Sequence, residues 1–205
     1  YPLRRQRQMC IRDSTKRDRL QHPFIELIHG WAVSLRRFDF SGELGKNSYA
    51  LKADFQPGEL DLSQTGNALV PVISVAMQEF GSFREMVLGD MNEIGYELED
   101  FGIIHFSEHY GTAAQDRYAV YTTEAGLEKQ VTQRDMSQGM FRAFSVLVQL
   151  NYYVLQGTRG LVIIDDIGEG LDFERARHLV QLLIRKAGEA GIQLIMSTND
   201  SFIMN

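Results

Sequence analysis

Only one of the 205 residues is a cysteine, Cys10. A lone thiol excludes a disulfide framework and a cysteine zinc site within one chain, and it suits a reducing, cytoplasmic setting. No stretch approaches the ~18 consecutive apolar residues of a membrane span. The N-terminus has no apolar segment followed by a small-residue cleavage site, as a signal peptide would have. The sequence therefore predicts a cytoplasmic protein without a membrane partner.

What is present is a globular composition, with 44% hydrophobic and 23% charged residues, enough to bury a sizeable core. Charge is unevenly placed: residues 1–20 carry seven basic and two acidic side chains, while the rest carry 14 and 25. The basic segment suits a nucleic-acid arm or a disordered leader. A third interpretation is that it is not native, because residues 5–14 resemble translated sequencing-adapter read-through. We expect residues 1–20 to be a non-native or disordered leader, and the chain to be truncated at both ends.

Residues 21–130 mix helix and strand signals. An apolar pattern predicts a helix from Pro23 to Val33, and glycines with Pro57 predict irregular strands and turns over 35–62. Further helices are expected over 67–80 and 82–95, with Asn67 and Ser82 as N-caps, and strands over 101–106, 118–123 and 127–131. We interpret this region as an α+β subdomain.

Residues 131–205 have an α/β pattern. A long helix over 138–156 is apolar on most faces and should be buried. The wholly apolar strand Leu161–Ile164, an amphipathic helix over 173–190 and a strand over 192–196 then predict a βαβ unit with a right-handed crossover. The apolar stripe of this helix consists of Ala176, Leu179, Val180, Leu183, Ile184 and Ala187. Asp172 and Gly191 are the expected N-cap and C-cap of the middle helix.

Two acids follow the first of these strands, in the run Leu161-Val-Ile-Ile-Asp165-Asp166. The carboxyl edge of a parallel sheet is where its ligands bind. An aspartate there offers a hard divalent cation an oxygen ligand beside a phosphate, and the next acid can orient or deprotonate water. A pair of acids that only closes a strand is the simpler alternative.

A second motif, Met136-Ser137-Gln138-Gly139, immediately precedes the long helix. A hydroxyl and bare backbone N–H groups at a helix start attract anions, and the helix dipole adds to that attraction. An ordinary serine N-cap is the alternative. Two weaker motifs are Gly168-Glu169-Gly170-Leu171-Asp172 after the acids, and Ser197-Thr198-Asn199-Asp200 after the last strand.

In this order and spacing, the motifs resemble the C-terminal half of an ABC-type ATPase head, which is a P-loop NTPase fold. The resemblance is closest to the heads of soluble ATPases, such as SMC, RecF and OLD-like proteins and the predicted AAA-type ATPases of bacterial defence. It covers residues 131–205. Residues 21–130 match more loosely the lid of such heads, with Gly66-Asn67-Ala68-Leu69 in place of its Gly-Ser-Asn-Leu element.

The resemblance implies ATP and Mg²⁺ as ligands, a head-to-head homodimer, and DNA or an effector protein as a further partner. Ser137, Gln138 and Gly139 look like the signature that grips the γ-phosphate of ATP held by the partner head. Asp165 looks like the Walker B magnesium ligand, and Asp166 stands at the place of the catalytic glutamate. Asp172 looks like the D-loop aspartate, and Asn199 stands where many ABC ATPases have the switch histidine.

Three departures from the family pattern affect these roles. Asp166 is one methylene shorter than glutamate, and Asn199 cannot exchange a proton as histidine does. The Walker A loop, Gly, four residues, Gly-Lys and then Ser or Thr, is missing. The nearest string, Gly45-Lys46-Asn47, has Phe40 in place of the first glycine and Asn47 in place of the hydroxyl residue. We therefore expect the Walker A loop to precede this chain, and the chain alone to be inactive.

The predicted function is Mg²⁺-dependent ATP hydrolysis by the intact protein, with a non-catalytic nucleotide-gated, nucleic-acid-binding or protein-binding module on the same core as the alternative. Other chemistries are less well supported. His105 and His109 fall in a predicted strand and turn rather than on a zinc-binding helix, and Ser137 lacks the glycines of a nucleophile elbow. Packing within a helix explains Tyr152-Tyr153 better than base stacking does.

Overall fold

The computed structural model describes residues 23–38, 46–47, 49–51, 69–105, 117–127, 129–157 and 159–199. The chain divides into two compact units, Tyr1–Ser34 and Leu35–Asn205. In chain order, the described elements are α1 (Pro23–Ser34), β1 (Arg36–Phe38), β2 (Ala50–Leu51), α2 (Leu69–Glu79), α3 (Phe83–Glu93), β3 (Leu98–His105), β4 (Arg117–Glu124), β5 (Val131–Thr132), α4 (Gln138–Leu155), β6 (Leu161–Ile164), α5 (Phe173–Ala190) and β7 (Gln193–Met196).

The first unit contributes α1, which confirms the helix predicted from the apolar pattern. Its large apolar side chains, among them Leu27 and Trp31, are exposed. In the part of the chain that the structure describes, no helix is both long and apolar enough to cross a membrane.

In the second unit, a parallel sheet is formed by β1, β6 and β7, with β6 in the middle. The strand β6 is almost wholly buried, as its uninterrupted apolar sequence predicts. The helix α5 connects β6 to β7, so the predicted βαβ unit is present. Ile164 is paired with Met196, and the polar residues that follow the two strands therefore start side by side at one edge of the sheet.

The ends of α5 follow from local sequence. The Asp172 side chain accepts a hydrogen bond from the backbone N–H of Arg175, 3.0 Å away, and Gly191 has the left-handed φ of 66° that a C-cap glycine supplies. One expectation was wrong: Ile184 is exposed although it belongs to the predicted apolar stripe. The buried face includes Leu183, and the next residue along a helix points about 100° away from it.

An antiparallel sheet is built on the pairing of β3 with β4, and the short strands β2 and β5 also pair with β4. The strand predicted over 127–131 starts later, at Val131. A turn at Gly126, with a φ of 77°, intervenes, and Leu127 after it is exposed. Ser82 precedes α3 but makes no side-chain cap, because its backbone is already helical there.

The helix α4 lies at the centre of the second unit and packs against α2, α3 and α5. Every residue from Gly139 to Tyr153 is buried, which confirms the expectation from its apolar sequence. Edge-to-face contacts join Phe83, Phe101 and Phe144, with ring centroids 6.2 and 5.2 Å apart. These contacts tie α3 and β3 to α4.

Tyr152 and Tyr153 are both buried in this core, as expected for packing residues.

The boundary predicted near residue 130 does not separate two compact units, because Leu35–Asn205 forms one unit. Whether residue 130 separates a lid from a core stays a prediction. Asn67 with its Gly66–Ala68 neighbours, Phe40, Gly45 and His109 lie outside the described residues.

Candidate functional site

Ser197 holds the two strand-end acids in place at the carboxyl edge of the parallel sheet. Its backbone N–H donates to the Ile164 carbonyl at 3.0 Å, which continues the pairing of β6 and β7 by one residue. Its hydroxyl donates a short hydrogen bond to Asp165 Oδ1 and accepts one from the backbone N–H of Asp166 at 2.8 Å. Ser197 belongs to the polar motif that follows the last strand, but the sequence indicated no role for it.

Asp166 and Asn199 meet at the same edge, where Asn199 Nδ2 donates to Asp166 Oδ2 at 3.3 Å. Among the described residues, Asp166 is the one non-glycine residue with a positive φ, at 50°. Aspartate tolerates this left-handed conformation better than most residues, but it remains unfavourable and is commonest at functional sites. The geometry therefore brings Asp165, Asp166 and Asn199 together.

The donor atoms at this edge are those that a magnesium ion prefers. Mg²⁺ takes oxygen ligands and is usually held by one or two carboxylates together with phosphate oxygens and water. Asp165 and Asp166 offer carboxylates, and Ser197 offers a hydroxyl. Among the described residues there is no cluster of three His, Cys, Asp or Glu side chains that would hold a metal without such outside ligands.

The second cluster of site residues lies at the start of α4. Ser137 is the N-cap: its Oγ accepts from the Met140 backbone N–H at 3.1 Å. Ser137 and Gln138 are exposed, whereas Gly139 is buried. The ordinary capping interpretation of Ser137 is thus correct as far as it goes, and it leaves the hydroxyl at the surface beside the first turn of the helix.

Gly139 is in close contact with the loop that contains Gly170. A Cβ atom on Gly139 would lie 2.1 Å from the Gly170 carbonyl oxygen, and a Cβ on Gly170 would lie 3.0 Å from the Gly139 nitrogen. Gly170 also has a positive φ of 79°. The two glycines therefore let the backbone of the loop after β6 lie directly on the start of α4.

We expect Gly139→Ala to destabilise the protein by about 1–3 kcal/mol, because a Cβ there forces backbone apart. Gly89 is a matched control, since it lies within α3 and a Cβ on it meets nothing within 4 Å. Gly89→Ala should leave stability unchanged or raise it by up to ~1 kcal/mol. Urea unfolding of both variants measures the difference, and equal stability would contradict the close contact.

Arg175 and Tyr96 connect Asp172 to Ser137. The Arg175 guanidinium donates to Asp172 Oδ2 at 3.0 Å and to the Gly95 carbonyl at 3.2 Å, and it lies 4.4 Å from the centre of the Tyr96 ring. The Tyr96 phenol lies beside the Ser137 side chain, and burial raises the pKa of Tyr96 more than Arg175 and Ser137 lower it. Ser137, Gly139 and Asp172 therefore belong to one cluster.

The Asp172 carboxylate makes stability depend on pH. The backbone N–H of Arg175 and then its guanidinium hold the pKa of Asp172 below its ordinary value. A depressed pKa stabilises the fold above the unfolded value near pH ~3.9, and this contribution is lost as the pH falls through the folded pKa. We expect Asp172→Ala to cost about 1 kcal/mol at pH 7, and the cost to shrink below pH ~4. Urea midpoints across pH test this, and a pH-independent difference would contradict it.

Lys46 lies next to the same cluster, although the string around it is a poor Walker A. Its amino group donates a short hydrogen bond to the Met136 carbonyl, and its own carbonyl accepts from Gln133 Nε2 at 3.1 Å. Lys46 and Asn47 form a turn.

His105 packs its ring edge-to-face on Tyr118, with centroids 5.0 Å apart.

Arg142 links the two clusters and was not among the predicted site residues. Its guanidinium donates to the Asp165 carbonyl and to Glu169 Oε2. The sequence did carry a signal, because Arg142, in the second turn, is the one charged residue of α4. A buried charge is rare without a partner, so the pattern indicated a long-range contact but not its identity.

A family model described as "AAA domain, putative AbiEii toxin, Type IV TA system" matches residues 25–205. No curated protein matches. Two similar solved structures are the Smc head domain of Pyrococcus furiosus, bound to the C-terminal domain of ScpA, and an SMC ATPase studied for ATP-driven dimerisation and DNA-stimulated activation.

Both structural matches have 15% identity and cover 63% of this chain, with TM-scores of 0.47 and 0.46. They cover 31% and 74% of the matched chains, so this chain spans about a third of the first. The parallel βαβ unit with acids at its carboxyl edge agrees with the α/β P-loop NTPase fold of an AAA domain. The chain belongs to the AAA family whose model it matches over most of its length.

Proposed function

We propose that this chain supplies the Walker B, signature and D-loop half of a Mg²⁺-dependent ATPase head. The observation that carries the proposal is the cluster of Asp165, Asp166, Ser197 and Asn199 at the carboxyl ends of two adjacent parallel strands. Ligands of such sheets bind at this edge. Membership of an AAA family supports nucleotide as the ligand.

Asp165, Asp166 and Asn199 have separate roles in phosphoryl transfer to water. Asp165 holds the metal ion, which neutralises charge on the phosphate oxygens when bound. Asp166 orients the attacking water and accepts its proton, so that a water oxygen–phosphorus bond forms as the bond to ADP breaks. Asn199 donates to Asp166 Oδ2 and so keeps the carboxylate oriented.

The exposed start of α4 acts on a second nucleotide. Ser137, Gln138 and the N–H groups of the first turn grip the γ-phosphate of ATP held by the partner head, which makes two copies of the chain the functional unit. The SMC proteins among the similar structures include one named for ATP-driven dimerisation. We propose that this chain forms a head-to-head homodimer, in a cytoplasmic setting, with DNA or an effector protein as the partner that the dimer moves.

A Walker A loop is needed to complete this site, and we propose that it precedes the chain in the full-length gene product. The expected result is Mg²⁺-dependent phosphate release from ATP by the full-length product and none by the 205-residue chain alone. Hydrolysis by the 205-residue chain that disappears in Asp165→Ala would contradict the need for that loop. Absence of ATP binding by the full-length product would contradict the function itself.

The second candidate function is a module that binds nucleotide or a partner without turnover. The conformation of Asp166 favours this second candidate. Its side chain is one methylene shorter than glutamate, its backbone is in the left-handed region, and its Oδ2 already accepts the Asn199 amide, so this oxygen is less available to an attacking water. ATP binding with dimerisation but no phosphate release from the full-length product would select this candidate. Equilibrium dialysis beside the phosphate assay separates the two.

A further inference from the structure

Arg142 is a buried cation whose position in the fold is not explained by packing. It lies in the second turn of α4, and its side chain is 3% exposed. Burial of a guanidinium is unfavourable unless it is paired and hydrogen-bonded, and an apolar side chain of similar volume is often as stable. The contacts that Arg142 makes therefore indicate a role beyond packing.

Those contacts converge on the peptide bond between the two strand-end acids. The Asp165 carbonyl of this peptide accepts from Arg142 Nη2, and the Asp166 N–H of the same peptide donates to Ser197 Oγ at 2.8 Å. Both polar groups of one peptide are thus held, from α4 on one side and from the end of β7 on the other. A peptide plane fixed at both groups restricts φ of Asp166, which has the unfavourable value of 50°.

Arg142 also holds the turn that follows. Its Nη1 donates to Glu169 Oε2 at 2.7 Å, and the Glu169 N–H donates to the Asp166 carbonyl at 3.2 Å. The next residue, Gly170, lies on Gly139 in the first turn of α4. The start of α4 and the segment from Asp165 to Gly170 are therefore joined by three kinds of contact.

We propose that Arg142 is a positioning residue that fixes the Asp165–Asp166 peptide and so couples the two acids to α4, the helix that begins at Ser137. This rests on the proposed function and adds its regulation: a phosphate bound at the start of α4 biases the carboxylates of the same head through Arg142. Ser197 and Arg142 act on opposite sides of one peptide, so loss of either loosens Asp166.

The test uses the full-length gene product with Arg142→Met, Arg142→Lys and Glu169→Gln, and the exposed Arg177→Gln as control. The first readout is amide hydrogen exchange of residues 165–170 by mass spectrometry. Arg142→Met should raise it at least about tenfold with the rest of α4 still protected, and Arg142→Lys should raise it less. Glu169→Gln removes the counter-charge of Arg142 but keeps the bond to the Asp165 carbonyl, so it should raise exchange less than Arg142→Met does.

The second readout is the split between kcat and KM. Misplaced acids lower kcat by about tenfold or more while KM for ATP changes little, since the Arg142 side chain is buried and not available to a ligand. Wild-type exchange at 165–170 in a folded Arg142→Met protein would overturn the proposal, and if that variant does not fold, wild-type exchange in Arg142→Lys does so. A wild-type protein that neither binds nor hydrolyses ATP overturns the proposed function instead, and the exchange comparison still decides the role of Arg142.

Discussion

Asp165→Asn lowers kcat for ATP hydrolysis by the full-length gene product by about 100-fold or more. A bound metal ion supplies several kcal/mol of charge stabilisation, and each ~1.4 kcal/mol is tenfold in rate. Asparagine has nearly the same shape and still accepts the Ser197 hydroxyl that Asp165 accepts. The fold should therefore survive while the metal loses its charged ligand, and steady-state phosphate release measures the effect.

Glu174→Gln is the matched control for this variant. It removes one negative charge from an exposed carboxylate in the first turn of α5, where Glu174 pairs with Arg177. A charge effect at a distance would lower activity in both variants, whereas loss of a metal ligand lowers it only in Asp165→Asn. Turnover near the wild-type level in Asp165→Asn would exclude Asp165 as the magnesium ligand.

Asp90→Ala is expected to lower the free energy of unfolding by about 3–5 kcal/mol, because it leaves a buried cation without its partner. Asp90 on α3 accepts from Lys186 on α5 at 2.8 Å and from Asn151 on α4 at 2.6 Å. The Asp90 and Lys186 side chains are only 10% and 14% exposed. One carboxylate thus joins three helices.

Two further variants show whether the loss comes from the unpaired charge. Replacing all three partners with apolar residues, Asp90→Leu with Asn151→Leu and Lys186→Met, should recover most of the stability, because no buried polar group is then left unpaired. Glu93→Gln disrupts the neighbouring ion pair with Arg185, which joins the same two helices but is about half exposed, and it should cost far less. Urea unfolding at constant m-value is the measurement, and similar losses for Asp90→Ala and Glu93→Gln would contradict the account.

The sequence predicted the parts of the fold that depend on local rules. The βαβ unit follows from a wholly apolar strand and an amphipathic helix, and its caps at Asp172 and Gly191 are where the residue types place them. The same rules failed where neighbours decide. Ser82 is a good N-cap by type but makes no cap, and the start of β5 at Val131 is set by its pairing with β4.

Long-range contacts could not be read from spacing. Arg142 and Asp165 are 23 residues apart, and Lys186 and Asp90 are 96 residues apart. Nothing in either local pattern names the partner. The contact of Gly139 with Gly170 was equally unpredictable. A glycine at this position suits a phosphate-binding helix start, but the structure also shows a backbone contact with Gly170 that no side chain would permit.

The candidate site was predictable as a set of residues but not as a geometry. Asp165, Asp166 and Asn199 follow adjacent strands, and parallel strands bring their carboxyl ends together. The left-handed conformation of Asp166 and the two hydrogen bonds of the Ser197 hydroxyl depend on the final register of β6 and β7. The roles assigned to the seven site residues stay predictions until they are measured.

The most direct test of the central claim mixes two inactive variants of the full-length gene product, Asp165→Asn and Ser137→Arg. If each site joins Asp165 of one head to Ser137 of the other, each variant alone is silent. Half of the dimers in an equal mixture contain both chains and one intact site, so about a quarter of the wild-type turnover returns. A mixture as inactive as its components, or either variant active alone, would contradict an ATPase site shared between two copies of this chain.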